Sequence, residues 1–177
     1  MTVLRTERLL LEPMTLGMVE AVMSGDRAEA ERIAEACLPP AWPNRALIER
    51  AFTASVDEIR ADPATRLWGD RLIIAGHERG ERRVVGSVVF HGRPGADGIA
   101  EIAYGVEETS QRQGIATEAT RACVEWALAH ADVVAVRATT TSWHHASLRV
   151  ITKLGMTHVD SRDHELLGEL LVYELRR

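Results

Sequence analysis

Residues 104–119 carry the densest chemistry in the chain: Tyr104-Gly105-Val106-Glu107-Glu108-Thr109-Ser110-Gln111-Arg112-Gln113-Gly114-Ile115-Ala116-Thr117-Glu118-Ala119. A strand ends, a polar loop follows, and a helix opens at a glycine. The first amides of a helix have no partner inside it and carry partial positive charge, so such a junction attracts anions. Gly114 lets the backbone come close to a phosphate, and Ala116 keeps that approach clear. Arg112 adds a charge-assisted donor. No G-K-[ST] follows Gly114 and no G-x-G-x-x-G is present, which argues against a nucleoside-triphosphate or dinucleotide loop. Taken alone, one glycine at a strand-helix junction also fits a tight turn without a ligand.

The surrounding elements must hold that junction in place. Leu4 to Pro13 reads as a first strand closed by Pro13. Thr15 to about Cys37 has helical spacing, and Pro39, Pro40 and Pro43 break it. Asn44 is a candidate cap for a second helix whose stripe is Leu47, Ile48, Ala51, Phe52, Ser55, Val56 and Ile59, ended by Pro63. Strands follow at Leu67–His77, Arg83–His91 and Ile99–Val106, with turns at Gly80-Glu81 and residues 93–98. Gly114 to about Ala131 is helical, with small Ala116, Ala119, Cys123, Ala127 and Ala131 on one side, a face suited to close packing on a sheet. A strand at Val133–Thr139 precedes a helix capped by Ser142 or His144 and stopped by Gly155. Met156–Asp160 and Leu167–Leu175 close the chain as strands. The simplest packing is one mixed α/β sheet with helices on both faces.

The 177 residues suit a single domain spanning 1–177, and 46% hydrophobic residues can fill a sizeable core. The net charge of -5 argues against a nucleic-acid-coating role. Cys37 and Cys123 form no C-x-x-C pair and read as reduced, buried thiols. Seven histidines show no metal-ligand spacing, so no metal is expected. No apolar run is long enough for a membrane helix, and the charged N-terminus lacks a signal-peptide pattern. These absences point to the cytoplasm. The four tryptophans, Trp42, Trp68, Trp126 and Trp143, read mostly as core.

Gln111-Arg112-Gln113-Gly114-Ile115-Ala116 matches the Q/R-x-x-G-x-G/A signature of the GNAT acetyltransferase superfamily. Arg5-Thr6-Glu7-Arg8-Leu9-Leu10-Leu11 resembles the T-E-R-L-x-L opening of its RimJ/RimL-like branch. Glu101-Ile102-Ala103-Tyr104 resembles E-I-G-Y, Ala116-Thr117-Glu118-Ala119 resembles A-T-E-A, and residues 146–156 resemble A-S-x-R-V-x-x-K-L-G-F. Each motif is weak; five in order are strong.

The resemblance implies a GNAT fold: a mixed, mostly antiparallel sheet of about seven strands, splayed between the fourth and fifth. It implies acetyl-CoA as co-substrate. The pyrophosphate would sit on the amides of Arg112, Gln113, Gly114, Ile115, Ala116 and Thr117, with Gln111 opening the loop. The pantetheine arm would pair with the strand ending at Tyr104-Gly105-Val106, and a backbone amide near Val106 would polarise the carbonyl. Ser147 would face the sulfur or the pantetheine as candidate proton donor, or only fill its helix's first turn. Ile151 stands where many relatives have a tyrosine. His144 stands where the branch often has a cofactor-contacting asparagine, or caps the helix. Glu101 is a possible base acting through water, or a polar residue at a sheet edge; Glu118 reads as structural, suited to the helix dipole. Trp42 and Trp68 flank segments that line the acceptor pocket in this superfamily. The activity implied is direct transfer of acetyl to an amine, a protein N-terminus or a small molecule, in a ternary complex. A different donor such as succinyl-CoA, an antibiotic amine, and a non-catalytic CoA-binding module are the alternatives. A homodimer formed through the apolar final strand (Leu170, Leu171, Val172) is a further expectation.

Overall fold

The computed structural model describes residues 2–42, 56–76 and 80–177. Eight strands form one sheet: β1 (Leu4–Arg5), β2 (Leu9–Pro13), β3 (Asp70–Ala75), β4 (Arg83–Phe90), β5 (Ile99–Val106), β6 (Ala135–Thr141), β7 (Thr157–His164) and β8 (Gly168–Arg176). Their order is β1-β2-β3-β4-β5-β6-β8-β7. Every neighbouring pair is antiparallel except β5 and β6, which run parallel. The helices are α1 (Leu16–Ser24), α2 (Arg27–Ala34), α3 (Val56–Ala61), α4 (Ile115–Leu128) and α5 (His145–Leu154).

The eighth strand arises from a hairpin hidden in the first apolar run. Thr6 Oγ1 accepts from the Leu9 amide at 3.0 Å and folds residues 6–8 into a turn, so Leu4 pairs with Leu11. The long first helix is likewise two. Gly25 sits at φ 70 and its amide closes on Ala21 and Val22, which ends α1; Asp26 then caps α2 by accepting from the Glu29 amide. The expected helix after Asn44 lies outside the described residues apart from its end, α3. Pro63, expected only as a stop, opens a 3-10 turn (Pro63–Trp68) capped by Asp62, and β3 starts after it. The seventh strand runs on to His164, beyond the expected Asp160.

Two cores flank the sheet. Alternation along β2 sends Leu9 and Leu11 to one face and Leu10 to the other. Helices α4 and α5 cover the first face through Ile115, Ala119, Cys123, Ala127, Ile151 and Leu154. Helices α1 and α2 cover the second through Met18, Val19, Val22, Ala30 and Ala34, packed on Leu10, Leu72, Ile74 and Val84. Arg71, buried in the first layer, lays its guanidinium 4.5 Å from the Trp126 ring and donates to the carbonyls of Thr2 and Leu67.

Several expectations are corrected here. Cys37 is exposed, while Cys123 is buried, and burial pushes its thiol up to about 12. Trp143 is exposed, whereas Trp68 is core, packed against Phe90, Trp126 and His130. Strand β8 lies between β6 and β7, so both its edges are taken and it offers no free border to a second copy.

Candidate active site

The sheet opens where the parallel pair fails. β5 and β6 share three rungs, Ile99 with Ala135, Ala100 with Val136 and Glu101 with Arg137, and no further rung among the described residues. Beyond Glu101 the strands diverge into a fork. Backbone groups alternate sides along a strand. His91 donates to the Glu101 carbonyl and Glu107 to the Val85 carbonyl, so the odd-numbered residues of β5 bond to β4. The amides and carbonyls of Ile102, Tyr104 and Val106 therefore face the fork. Tyr104 and Val106 thus stand on the edge where the family resemblance implies a pantetheine arm.

At the strand's end the loop is held by its own amides. Gln111 Nε2 donates to the Val106 carbonyl at 3.0 Å, and Gln113 Nε2 to the Thr109 carbonyl at 3.3 Å. Both side chains hold the loop rather than reaching outward. Arg112 at φ 61 and Gly114 at φ 79 adopt left-handed backbone, a conformation uncommon for arginine and one that builds amide-lined anion concavities. Among the described residues, the amides of Arg112, Gln113, Gly114, Ile115, Ala116 and Thr117 have no acceptor; the Glu118 amide is the first to close the helix, on Gly114. Six successive unpartnered donors at a helix start can wrap a diphosphate.

Glu118 explains how that start is fixed. Its Oε1 accepts from Thr6 Oγ1 at 2.5 Å and from the Arg8 amide at 3.1 Å, and its Oε2 pairs with Arg8 at 2.6 Å. Arg8 also donates to the Gln113 carbonyl at 3.1 Å. Partial burial pushes the Glu118 carboxyl up; the bonds from Thr6 and Arg8 outweigh it and leave it below the ordinary value. Two sequence motifs more than a hundred residues apart are thus one clamp. Glu118 thus holds the helix start to the first hairpin; Thr6 and Arg8 are the partners the sequence left unassigned. Beside the clamp lies a cavity of about 540 Å³ lined in part by Arg5, Gly114, Thr117, Arg121 and Lys153. Arg121 donates to the Lys153 carbonyl at 2.5 Å, tying α4 to α5.

Across the fork, the first turn of α5 brings Ser147 to Tyr104. The phenol lies 3.0 Å from Ser147 Oγ and donates to the Ser147 carbonyl at 3.2 Å. Burial raises the Tyr104 phenol above its ordinary value, and the Ser147 bond offsets this in part. Between the two hydroxyls either can be the donor. The family resemblance offers Ser147 alone as a candidate proton donor; its contact with Tyr104 bridges 43 positions and no local signal encodes it. Ile151 is buried in the core. His144 occupies the position before α5, exposed, its side chain making no capping bond. It shares the junction with Ser147.

Glu101 sits on the other face. Ala100, Ile102, Tyr104 and Val106 turn toward α4 and α5, so Glu101, Ala103 and Gly105 turn toward α1 and α2. Glu101 Oε1 accepts from Thr139 Oγ1 at 3.3 Å across the last parallel rung. The structure thus places Tyr104, Ser147 and Glu101 beside one fork, the hydroxyl pair on one face and the carboxylate on the other.

Comparison with known proteins agrees with this geometry. Residues 8–157 match the family model described as an acetyltransferase (GNAT) domain. The chain is 23% identical over 155 residues to the uncharacterized N-acetyltransferase YjdG of Bacillus subtilis (strain 168), covering 88% of this chain and 89% of YjdG. Its fold is similar to that of the ribosomal-protein-S5-alanine acetyltransferase of Vibrio fischeri (TM-score 0.70, 10% identity, 99% of this chain and 97% of that one). It is also similar to RimL, the ribosomal L7/L12 alpha-N-protein acetyltransferase, in complex with coenzyme A (TM-score 0.64, 16% identity, 99% and 98%). The chain belongs to the GNAT acetyltransferase family. Among the described residues no helix is long and apolar enough to cross a membrane, and no group of three or more candidate ligands could hold a metal.

Proposed function

We propose that this chain transfers an acetyl group from acetyl-CoA to an amine by direct attack in a ternary complex. The carrying observation is the run of six unpartnered amides, Arg112 to Thr117, at the end of a strand whose free edge faces the fork. The amides receive the pyrophosphate. The fork-facing backbone of Tyr104, and of Val106 apart from the carbonyl that Gln111 holds, pairs with the pantetheine arm. Bound in this way, acetyl-CoA supplies an activated acyl carbon within the fork.

The chain's own groups then divide three tasks. An unpaired backbone amide of β5 near Val106 donates to the carbonyl oxygen as it gains charge. Glu101, alone or through a water, accepts the proton the attacking amine must lose. Ser147, recharged by the Tyr104 phenol, returns a proton to the departing sulfur. Holding both reactants in the fork lowers the barrier further by removing the entropy cost of their encounter. His144, at the head of α5, contacts the pantetheine side of the same junction. Among the described residues the site lacks a strongly basic group, which suits an α-amine, whose ordinary pKa of about 8 lies well below the roughly 10.4 of lysine.

Mass spectrometry of an amine library incubated with acetyl-CoA and the full chain tests this. Acetylated α-amines, with lysine side chains slower, are the expected result. Acetyl-CoA binding without any acetylated product would defeat it.

A further inference from the structure

On the α1/α2 face of the fork lies a cavity of about 270 Å³. Its floor is a row of residues paired side by side: Leu72 on β3, Ser87 on β4 and Gly105 on β5. Trp42 and Pro39 form one wall; Glu107 and Glu108 form the other. The Trp42 wall is braced. Arg27 donates to the carbonyls of Pro39 and Leu38, Glu31 accepts from the Leu38 amide at 3.0 Å, and the Trp42 amide donates to the Pro39 carbonyl at 3.0 Å. Among the described residues, neither Glu107 nor Glu108 has an ion-pair partner.

Two glycines on neighbouring rungs here, Gly86 opposite Val106 and Gly105 opposite Ser87, have different reasons to be there. A Cβ on Gly86 would stand 2.2 Å from the Gly105 carbonyl oxygen, so the close approach of the strands requires it. A Cβ on Gly105 would meet nothing within 4 Å, and its φ is not in the left-handed region. The fold therefore gains nothing from glycine at 105, which weakens a strand relative to alanine. A side chain there would leave the strand perpendicular to its hydrogen-bonding edge and enter the cavity, not the fork.

We propose that this cavity seats the acceptor, and that Gly105, Glu107 and Glu108 set its specificity: a small cationic amine with no free carboxylate beside it. Gly105 provides the depth. The two unpaired carboxylates attract the ammonium form and repel a neighbouring carboxylate. The volume lies just below the usual range for small-molecule pockets, about 300–1,000 Å³, and fits one end of a molecule. This rests on the proposed acetyl transfer, because it assigns the acceptor side of the same fork.

The test uses the full chain saturated with CoA, so that binding is read without turnover. Alaninamide and alanine are titrated by calorimetry into the wild type, Gly105→Val and Glu107→Gln/Glu108→Gln, and the same amines are assayed with acetyl-CoA. We expect alaninamide to bind at least about tenfold more tightly than alanine. Gly105→Val should weaken alaninamide by about tenfold or more, with CoA affinity changed less than about threefold. The double glutamine variant should bring alanine and alaninamide together. Absence of alaninamide binding, an unchanged Gly105→Val, or an amide preference that survives loss of both carboxylates overturns the assignment. Binding that responds to the variants without any acetyl transfer upholds the pocket and defeats only the transfer reaction.

Discussion

Helices α1 and α2 begin differently from α4 and α5. Thr15 accepts from the Met18 amide at 3.3 Å and Asp26 from the Glu29 amide at 3.0 Å, so both early helices satisfy their first donors with their own side chains. Gly114 and His144 stand at the same position of the later helices, and neither provides a side-chain cap. Uncapped first amides are a cost that a structural helix avoids. Among the helices whose N-terminal caps are described, the two that leave them open are those whose first turns border the fork. On the proposed reading, a missing cap marks the site as clearly as a present residue.

The strongest way to break that contrast is to give α4 a cap. Gly114→Asp places a carboxylate among the six amides, where the diphosphate would lie. We expect acetyl-CoA affinity to fall at least a hundredfold, about 2.8 kcal/mol, by calorimetry. Affinity within a few-fold of wild type would show that the open amides are incidental. Next in size is the chemistry at the head of α5. Ser147→Ala should lower kcat by about tenfold to a hundredfold. Tyr104→Phe should lower it by a similar factor, and the pair combined little further, because they act as one relay. Acetyl-CoA affinity should barely move in Ser147→Ala; if affinity falls while kcat holds, Ser147 is a binding residue instead.

Glu118→Gln should cost about 1–2 kcal/mol. For a chain of this size that lowers Tm by about 3–6 °C. Its carboxyl lies below the ordinary value in the folded state, so its contribution is full above the unfolded value of about 4.3 and disappears as pH falls through the folded one. The stability gap between wild type and variant should therefore be widest near neutrality and close in acid; a gap constant down to pH 3 contradicts this. The smallest effect sharpens the comparison from the other side. Thr15→Ala and Asp26→Ala should each cost about 1 kcal/mol of stability and leave acetyl-CoA affinity unchanged.

Much of this arrangement is legible in the chain itself, for identifiable reasons. The strand Ile99–Val106, the helix start at Gly114 and the stop at Gly155 follow from local rules, and the structure places them there. The hairpin at Thr6–Arg8 is masked because apolar Leu4 and Leu9–Leu11 read as one run; a threonine hydroxyl, not a glycine, makes its turn. The length of β7 is invisible because all eight residues are exposed and polar alternation is absent. Nothing local links Tyr104 to Ser147 or Thr6 to Glu118, since those bonds form only once the sheet has assembled. The glycine at 105 gives no sign in sequence of whether fold or cavity demands it; that requires knowing what lies within 4 Å.

Ala119, Cys123 and Ala127 are fully buried where α4 rests on the sheet. Their short side chains act as a gauge block: their thickness sets how far the first turn of that helix stands above β5. A pantetheine arm is a tether of fixed length. On the proposed reading, three small residues that never meet it calibrate the span it must cross, from the phosphate cradle to the mouth of the fork. Thickening the block by a leucine at Ala119 would lift the cradle while leaving every amide in it intact.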